Sequence, residues 1–250
     1  MRARNPLVAI VAVLAIVAAC GGQASPPSDP TAPASIQPVD AAALRYTCHG
    51  WFPFGAELVE RSGTDEQVDD PLAAALRAHL AKADMEIDLL PDVGWTLTGR
   101  DATRAEFVAA GGDAGLMSVS LAVAGDGTWS VTGWGNCQPM RVLPDGLGEA
   151  SWDLAPGQSI GPETTTFEAW VTERACASGR PSDGRVVGPD ILALEGRVVV
   201  TFAVRPLGGG VQTCPGNPAT TVTVVLPERL GERLLLDGST LPPRAPLPEP

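Results

Sequence analysis

The clearest hydrophobic pattern in the chain is helical and follows Asp70-Pro71. Aspartate is a good N-cap, and proline suits the first helical position. A second short helix is predicted over residues 101–110, because Thr103 and Glu106 fit a capping box and Gly111-Gly112 ends the pattern. The apolar positions that define the first helix recur at helical spacing: Leu72, Leu76, Leu80 and Ala83.

From Leu116 the pattern changes to the alternation of β-strands. Residues 116–124 and 128–133 alternate around Gly125-Asp126-Gly127, which predicts a hairpin. Short alternating runs recur in the second half, at residues 164–175, 191–194, 197–204, 220–226 and 233–236. Together the patterns predict a β-rich α+β fold, in which a small antiparallel sheet with one or two helices is followed by a β-sandwich-like module.

The predicted domain organisation places an α+β module at residues 41–140, a β-sandwich-like module at 141–240 and a disordered Pro-rich tail at 241–250. The Gly- and Pro-rich stretch 141–162 suits a boundary between modules. One continuous β-rich domain with a long internal loop there is the alternative. Residues 21–40 are rich in Pro, Ser and Ala and are predicted to form a disordered tether that reaches at most about 60 Å.

The first 20 residues have the pattern of an export signal. Arg2 and Arg4 precede an apolar block at residues 7–17, which is shorter than the roughly 20 residues of a membrane-spanning helix. The block ends in Val17-Ala18-Ala19-Cys20, which resembles the lipobox of bacterial lipoproteins. The resemblance covers residues 1–20 alone. It implies removal of residues 1–19, a diacylglycerol thioether on Cys20 and acylation of the new N-terminus, with palmitate as the expected kind of chain.

Lipidation predicts where the protein is held. Two or more acyl chains anchor a protein stably, whereas a single chain binds a membrane only marginally. Cys20 is therefore predicted to tether the protein to the extracytoplasmic face of the cell membrane. The alternatives are an ordinary secretory signal that happens to end in cysteine and an uncleaved anchor.

The charge of the chain excludes one class of partner. The formal net charge is -12, from 17 basic and 29 acidic residues. Loss of residues 1–19 removes two basic residues and no acidic one, which makes the mature chain -14. Such a chain lacks the basic patches of nucleic-acid-binding proteins, and anionic lipid headgroups repel it, so the lipid on Cys20 is the predicted tether.

Four cysteines remain when Cys20 is set aside. An even number in an exported protein favours disulfides. Of the three pairings, Cys48–Cys137 with Cys176–Cys214 is favoured, because each bond then closes within its own half of the chain. A metal site is disfavoured, since the chain has no C-x-x-C motif and only two histidines, and no cofactor is predicted.

Aromatic residues near the first cysteine pair are the candidate binding residues. Trp51, Phe52 and Phe54 follow Cys48, and Trp134 lies shortly before Cys137. A bond between these cysteines would gather the four rings at one end of the first module. Such a cluster is either the core of a small disulfide-linked module, the preferred interpretation, or a platform for a sugar or a partner protein.

No motif identifies a catalytic centre. His79 lies beside the apolar face of its helix and His49 in a loop, so packed or surface positions are the preferred interpretations. The four carboxylates of residues 64–70 indicate a solvated loop, and Glu86 with Asp88 show no second carboxylate pair that converges on them. The motifs S-x-x-K and H-E-x-x-H are missing from the sequence.

The sequence therefore predicts a membrane-anchored extracytoplasmic bacterial lipoprotein with a non-catalytic binding or structural role in the cell envelope. Its expected partners are the membrane, through Cys20, and an envelope protein or glycan. Two alternatives stay open. An envelope hydrolase would place His49 or His79 within reach of a carboxylate and a Ser or Thr in a cleft. A solute-binding lipoprotein of a transporter would show a large inter-domain cleft.

Overall fold

A computed structural model describes residues 40–59, 61, 63–82, 89–112 and 115–246. The α-helix of these residues is α1, Pro71–Leu80. The strands are β1 Tyr46–Thr47, β2 Thr96–Arg100, β3 Arg104–Ala110, β4 Leu116–Val123, β5 Trp129–Cys137, β6 Met140–Arg141, β7 Gly148–Leu154, β8 Thr166–Glu173, β9 Val186–Ala193, β10 Arg197–Val204, β11 Thr220–Val225 and β12 Leu234–Asp237. The prediction of a β-rich α+β fold is confirmed.

The first sheet is antiparallel, with strand order β2-β3-β4-β5. The predicted β4–β5 hairpin is confirmed. The second predicted helix is wrong, because residues 104–110 form β3 and pair with β4 along their whole length. A capping pattern reflects only neighbouring residues. Here Ala105, Phe107 and Ala109, at alternate positions, are all buried on one face of the sheet, and this packing favours a strand over a helix.

Helix α1 begins and packs as its sequence predicts. The Asp70 carboxylate accepts a hydrogen bond from the backbone N–H of Ala73 at 2.7 Å. Leu72 and Leu76 are buried against the sheet, and Leu80 packs partly on the same cluster. Ala83, the last predicted member of this stripe, lies outside the described residues. We call the side of the first sheet that α1 covers the α1 face; its core includes Trp95, Phe107, Met117, Val119 and Leu121.

The opposite face of the first sheet is covered by residues 44–59, which we call the cover segment. Tyr46 and Phe54 of this segment pack on Val108 and Leu116 of the sheet. Burial raises the pKa of the Tyr46 phenol, an effect that Arg141 and Arg197 oppose. The sheet is thus packed on both faces, one by a helix and one by an irregular segment.

Two disulfides are present, with the pairing that the sequence favours. Cys48 of the cover segment is bonded to Cys137 at the end of β5, across a separation of 89 residues. Cys176 is bonded to Cys214, which joins the loop after β8 to the loop before β11. The first bond therefore fastens the cover segment to the first sheet, and the second joins two loops of the second half.

The second half forms one six-stranded, curled sheet, in which β11-β8-β7-β10-β12 are neighbours and β9 also pairs with β10. β10 and β12 run parallel, and the other pairs are antiparallel. The core contains Trp152 stacked on Phe167 with ring centroids 5.5 Å apart, and Phe202 edge-on at 6.3 Å. The β-sandwich-like module expected here is thus a single sheet that curls around its own core.

Strand β7 lies within residues 141–162, the stretch whose Gly- and Pro-rich composition is typical of a boundary between modules. Its sequence, Gly-Glu-Ala-Ser-Trp-Asp-Leu, has no β-branched residue and so gives little local signal for a strand. Trp152 nevertheless lies fully buried at its centre. A tertiary contact, the packing of the indole among β8 and β10 side chains, fixes this strand.

The two sheets have separate cores but share a seam. β1 pairs with β6, so Tyr46 lies opposite Arg141, and Met140 forms a bridge with Thr240. Arg141 also binds Asp190 of β9 at 2.9 Å. All described residues belong to one compact unit, so the division at residues 140 and 141 stays a prediction.

The tail differs from its prediction as far as residue 246. The Arg244 guanidinium pairs with Asp153 at 2.7 Å and with the fully buried Asp237 at 3.1 Å. Burial raises the pKa of the Asp237 carboxyl, although hydrogen bonds from Ser239 and the charge of Arg244 oppose the rise. The ion pair between Arg244 and the buried Asp237 thus fastens residues 241–246 to the second sheet.

Candidate functional site

The opposite face of the first sheet changes from apolar to polar along its strands. Val108 and Leu116 form the apolar part under the cover segment. In the polar part, Glu106 of β3 lies opposite Ser120 of β4, and Ser120 lies opposite Gly133 of β5. Residues directly opposite in antiparallel strands point to the same side of the sheet, with Cβ atoms about 4.5–5.5 Å apart. A polar row therefore crosses three strands.

Two glycines on β5 open a groove above this row. A Cβ atom at Gly133 or Gly135 would meet no other atom within 4 Å. The resulting space, of about 350 Å³, we call the histidine groove. Its lining is His49, Trp51, Ser120, Thr132, Gly133, Trp134, Gly135 and Asn136.

The groove contains a histidine bonded to a buried carboxylate. His49 Nδ1 forms a hydrogen bond with Glu106 Oε1; the Glu106 side chain is fully buried and that of His49 is 43% exposed. Thr98 also holds the glutamate, since its hydroxyl donates to the Glu106 carbonyl oxygen at 3.0 Å. An ionised carboxylate can only accept hydrogen bonds, so it selects the tautomer with the proton on Nδ1. Nε2 then carries the lone pair that a bound molecule can use.

Local structure in the cover segment holds the imidazole in this position. The residue before His49 is Cys48, bonded to Cys137. The residue after it is Gly50, which has a φ of +82° and donates its N–H to the Thr47 hydroxyl at 2.8 Å. Glycine adopts this left-handed conformation without steric cost. The turn is therefore fixed on both sides of His49.

Glu106 differs from the other buried carboxylates of the described residues. Glu173 pairs with Arg185, Asp237 with Arg244, and Glu66 accepts the backbone N–H of Trp95. These partners fasten the fold. The hydrogen-bond partner of the Glu106 carboxylate is a histidine at the edge of a groove. A buried carboxylate without a good partner costs free energy, so its position under His49 makes the pair a candidate functional group.

The four aromatic candidates occupy different places. Trp51 is 44% exposed and lines the groove, with its ring centroid 6.0 Å from that of His49 and 4.8 Å from the Arg104 guanidinium carbon. Phe54 is buried between the cover segment and the first sheet. Phe52 packs so closely on Gly99 that a Cβ there would lie 2.8 Å from its ring. Trp134 borders the groove and packs on the core of the α1 face.

A larger groove, of about 600 Å³, lies on the other side of the cover segment, against the second sheet. We call it the arginine groove. It is lined by Thr47, Gly50, Pro53, Arg141, Val142, Leu143, Leu147, Gly148, Glu149, Arg174 and Ala175. Arg141 binds Asp190, and Arg174 lies 3.9 Å from Glu149. Both arginines of this groove face carboxylates of the same protein, so they are less available to a ligand than the side chains of the histidine groove.

The other polar candidates serve the fold. Asp65, Glu66 and Asp70 accept hydrogen bonds from the backbone N–H groups of Leu97, Trp95 and Ala73. Glu86 and Asp88 lie outside the described residues. Within the described part of the chain, no three His, Cys, Asp or Glu side chains come together as a metal site would need.

His79 is half-buried on α1, and the structure gives its Nε2 no hydrogen-bond partner. Burial, together with the charge of Lys82, lowers the pKa of its imidazole. It lies outside both grooves. Of the two histidines, His49 is the one that the fold brings to a carboxylate in a cleft.

The groove residues that sequence reasoning missed are Glu106, Ser120, Gly133 and Gly135, together with Thr132 and Asn136. The capping-box pattern of Thr103 and Glu106 favours a helix, whereas Glu106 lies on β3. The signal that locates it is the alternation of Ala105, Phe107 and Ala109, which favours a strand over a helix.

The segment with the lipobox resemblance, Val17-Ala18-Ala19-Cys20, and the predicted tether lie outside the described residues, apart from Asp40. Across the residues that the structure does describe, no helix is both long and apolar enough to cross a membrane. Membrane attachment therefore stays a prediction from the sequence of residues 1–20.

Comparisons with protein-family models, with curated proteins and with solved structures find no match to this chain.

Proposed function

We propose that this protein is a lipid-anchored extracytoplasmic bacterial lipoprotein that binds an envelope glycan in the histidine groove. The observation that carries the proposal is the exposed ring of Trp51 beside His49, above an opening left by Gly133 and Gly135. Binding is the role that this site supports best.

The chemistry of the lining favours a sugar-like ligand. An indole ring offers a flat apolar surface, and the polar side chains of His49, Ser120 and Thr132 can exchange hydrogen bonds with hydroxyl groups. Ligand sites of about 300–1,000 Å³ are typical, so the histidine groove holds a small ligand or the end of a longer glycan. Arg104 lies against the Trp51 ring and restrains it, which reduces the entropy lost when a ligand binds.

The N-terminal sequence supports a position at the membrane surface. The resemblance to a lipobox places an acylated Cys20 at the start of the mature chain. Residues 21–40 allow a reach of at most about 60 Å, so a tethered groove can scan nearby envelope glycan. The negative charge of the folded part keeps it from anionic headgroups, which favours this extended arrangement.

Substitution Gly133→Leu tests the binding groove. We expect it to fill the groove and weaken binding of soluble cell-wall glycan fragments at least tenfold, as measured by isothermal titration calorimetry. Stability should stay within about 1 kcal/mol of wild type, because the added side chain enters open space and Gly133 has no positive φ.

The matched control is Gly125→Leu. Gly125 lies in the turn between β4 and β5, also has open space around its Cβ position, and lies outside the groove. Its affinity for the fragments should equal that of wild type. Equal affinities for the two leucine variants would contradict a ligand site in this groove.

Substitution Cys20→Ala tests the anchor. The variant is expected to lose metabolic labelling by an alkyne-tagged fatty acid and to keep residues 1–19 or leave the membrane fraction, because the acyl acceptor is gone. Fractionation, labelling and the mass of the N-terminal peptide report these outcomes. Substitution Cys176→Ala is the control and should leave labelling unchanged. Acylation that survives in Cys20→Ala would refute the lipobox interpretation.

A further inference from the structure

The histidine groove brings together a hydroxyl, an imidazole and a buried carboxylate, and we propose that it hydrolyses acyl esters with Ser120 as the nucleophile. This inference rests on the proposed function, because it uses the same groove, and it replaces the expected non-catalytic role with an activity. Ser120 lies on β4, His49 in the cover segment and Glu106 on β3, so the three residues do not form a sequence motif.

Ser120 lies where a nucleophile is needed. It lines the groove with His49, and it is the cross-strand neighbour of Glu106, to which His49 is bonded. Its side chain therefore starts about 4.5–5.5 Å from that of the glutamate, on the side of the sheet that the imidazole covers. Gly133, its neighbour on β5, leaves room above the hydroxyl for a carbonyl group.

His49 has the arrangement of a general base. Its Nδ1 is occupied by Glu106, so Nε2 is the nitrogen that can accept a proton in the groove. A histidine held by a carboxylate through one nitrogen and serving a hydroxyl through the other is the arrangement that activates serine. The exposed half of the imidazole gives a substrate access to it.

Glu106 acts as a positioning residue. Its buried carboxylate fixes the tautomer and the orientation of His49 and stabilises the imidazolium that forms during the reaction. Thr98 holds the backbone carbonyl of the glutamate, and β3 lies between two neighbouring strands. The carboxylate is therefore supported by regular structure, whereas His49 depends on the Cys48–Cys137 bond.

The reaction proceeds in two balanced steps. The Ser120 oxygen attacks the ester carbonyl carbon as its proton passes to His49 Nε2; the C–O bond to the alcohol then breaks, and the alcohol leaves with that proton. Water attacks the acyl–Ser120 ester through the same base. The C–O bond to Ser120 breaks, the carboxylic acid is released, and the serine hydroxyl and neutral imidazole are restored.

The groove selects the class of ester. It is shallow and polar, with Trp51 as its large exposed ring, so it fits a small acyl group carried on a hydroxyl of a sugar-like alcohol. The long apolar cleft that a fatty-acid ester needs is not found along the residues that line it. Acetylated glycan is thus the expected substrate.

The test labels the mature lipoprotein, purified in detergent, with a fluorophosphonate probe. The reactive serine displaces fluoride and forms a bond to phosphorus, and peptide mass spectrometry identifies the labelled residue. We expect stoichiometric labelling at Ser120, none in Ser120→Ala, and rates about 100-fold lower in His49→Gln and Glu106→Gln.

The chain offers matched controls for each variant. Ser118 lies one pleat away on the same side of β4, is buried and is not part of the groove, so Ser118→Ala should label as wild type does. His79→Gln removes the other histidine and should also have no effect. Release of acetate from O-acetylated glycan should follow the same order among the variants.

A purely structural role of Glu106 is distinguished by two further readouts. In Glu106→Gln, kcat for acetate release should fall with KM nearly unchanged. Long-range ¹H–¹⁵N correlation spectra should show the His49 proton on Nδ1 in the wild type and a mixture of tautomers in the variant. A loss of activity that simply follows a lower melting temperature would overturn the assigned role.

Outcomes separate this inference from the proposed function. Wild-type protein that binds glycan, yet neither labels at Ser120 nor releases acetate, overturns the hydrolase and leaves the binding proposal intact. Labelling that survives in His49→Gln at the wild-type rate also overturns it. Glycan binding that fails while Ser120 labels would overturn the glycan proposal and support an ester of another alcohol.

Discussion

Replacing Cys48 and Cys137 together by alanine is expected to lower the free energy of unfolding by about 4 kcal/mol and to abolish ligand binding in the histidine groove. The bond closes a separation of 89 residues, and the loss of so long a constraint increases the entropy of the unfolded chain. Chemical denaturation and calorimetric titration with glycan fragments measure the two effects.

The effect on the groove has a separate physical cause. The bond is adjacent to His49 and lies three residues before Trp51, and it fastens the part of the cover segment that carries both side chains. Without it, hydrogen bonds such as those of Glu106 with His49 and of Gly50 with Thr47, and ring contacts such as that of Trp51 with Arg104, must order this part of the segment. An exposed ring contact contributes about 0.5–1 kcal/mol, which is too little to replace the bond.

The double variant Cys176→Ala with Cys214→Ala is the matched control. This bond spans 38 residues, so its loss should also cost about 4 kcal/mol on the same entropic argument. It joins loops of the second half, away from the groove, and affinity should stay at the wild-type value. If both double variants lost affinity equally, the groove would depend on global stability rather than on the cover segment.

Substitution Trp152→Ala is expected to lower the free energy of unfolding by about 4 kcal/mol. The side chain is fully buried between Phe167 and Phe202, and its indole N–H donates to the Val200 carbonyl oxygen at 2.9 Å. Removing it leaves a large cavity in the core of the second sheet, although the Val200 carbonyl oxygen still accepts the backbone N–H of Gly238 at 3.0 Å. Urea denaturation followed by circular dichroism gives the value.

Trp51→Ala provides the contrast. Trp51 is half-exposed, so its loss should change stability by less than about 1 kcal/mol. It should nevertheless remove glycan affinity, whereas Trp152→Ala should retain affinity in the fraction that stays folded. A small cost for Trp152→Ala would contradict the central position of β7 in the second sheet.

Periodic elements were predictable from the sequence, because their signals are local. The spacing of Leu72, Leu76 and Leu80 gave α1, and the turn at residues 125–127 gave the β4–β5 hairpin. The disulfide pairing was also accessible, since bonds within each half are the simplest closure. These features depend on neighbours along the chain, which a sequence displays directly.

β3 and β7 were not predictable in the same way. The capping pattern of residues 103–106 favours a helix locally, and pairing of β3 with β4 over seven residues outweighs it. β7 lacks β-branched residues, and Trp152 is fixed by partners some 15 to 50 positions away. The parallel pairing of β10 with β12 likewise depends on a connection that folds back on the sheet.

The candidate site was half visible. The sequence marks Trp51 as a candidate binding residue and favours an ordinary loop position for His49, and the cover segment presents both at the groove. Their partners come from β3, β4 and β5, and the opening depends on two missing side chains, at Gly133 and Gly135. A glycine in the sequence does not show which side chains surround the space that it leaves. The groove therefore follows only from the register of β3, β4 and β5.

The measurement that tests the central claim most directly is an NMR titration of the mature protein with soluble cell-wall glycan fragments, read residue by residue. Chemical-shift changes should concentrate on the Trp51 indole N–H, the His49 ring and the amides of Ser120 and Gly133. Changes confined to Arg141 and Arg174 in the arginine groove, or none at saturating ligand, would contradict a glycan site in the histidine groove.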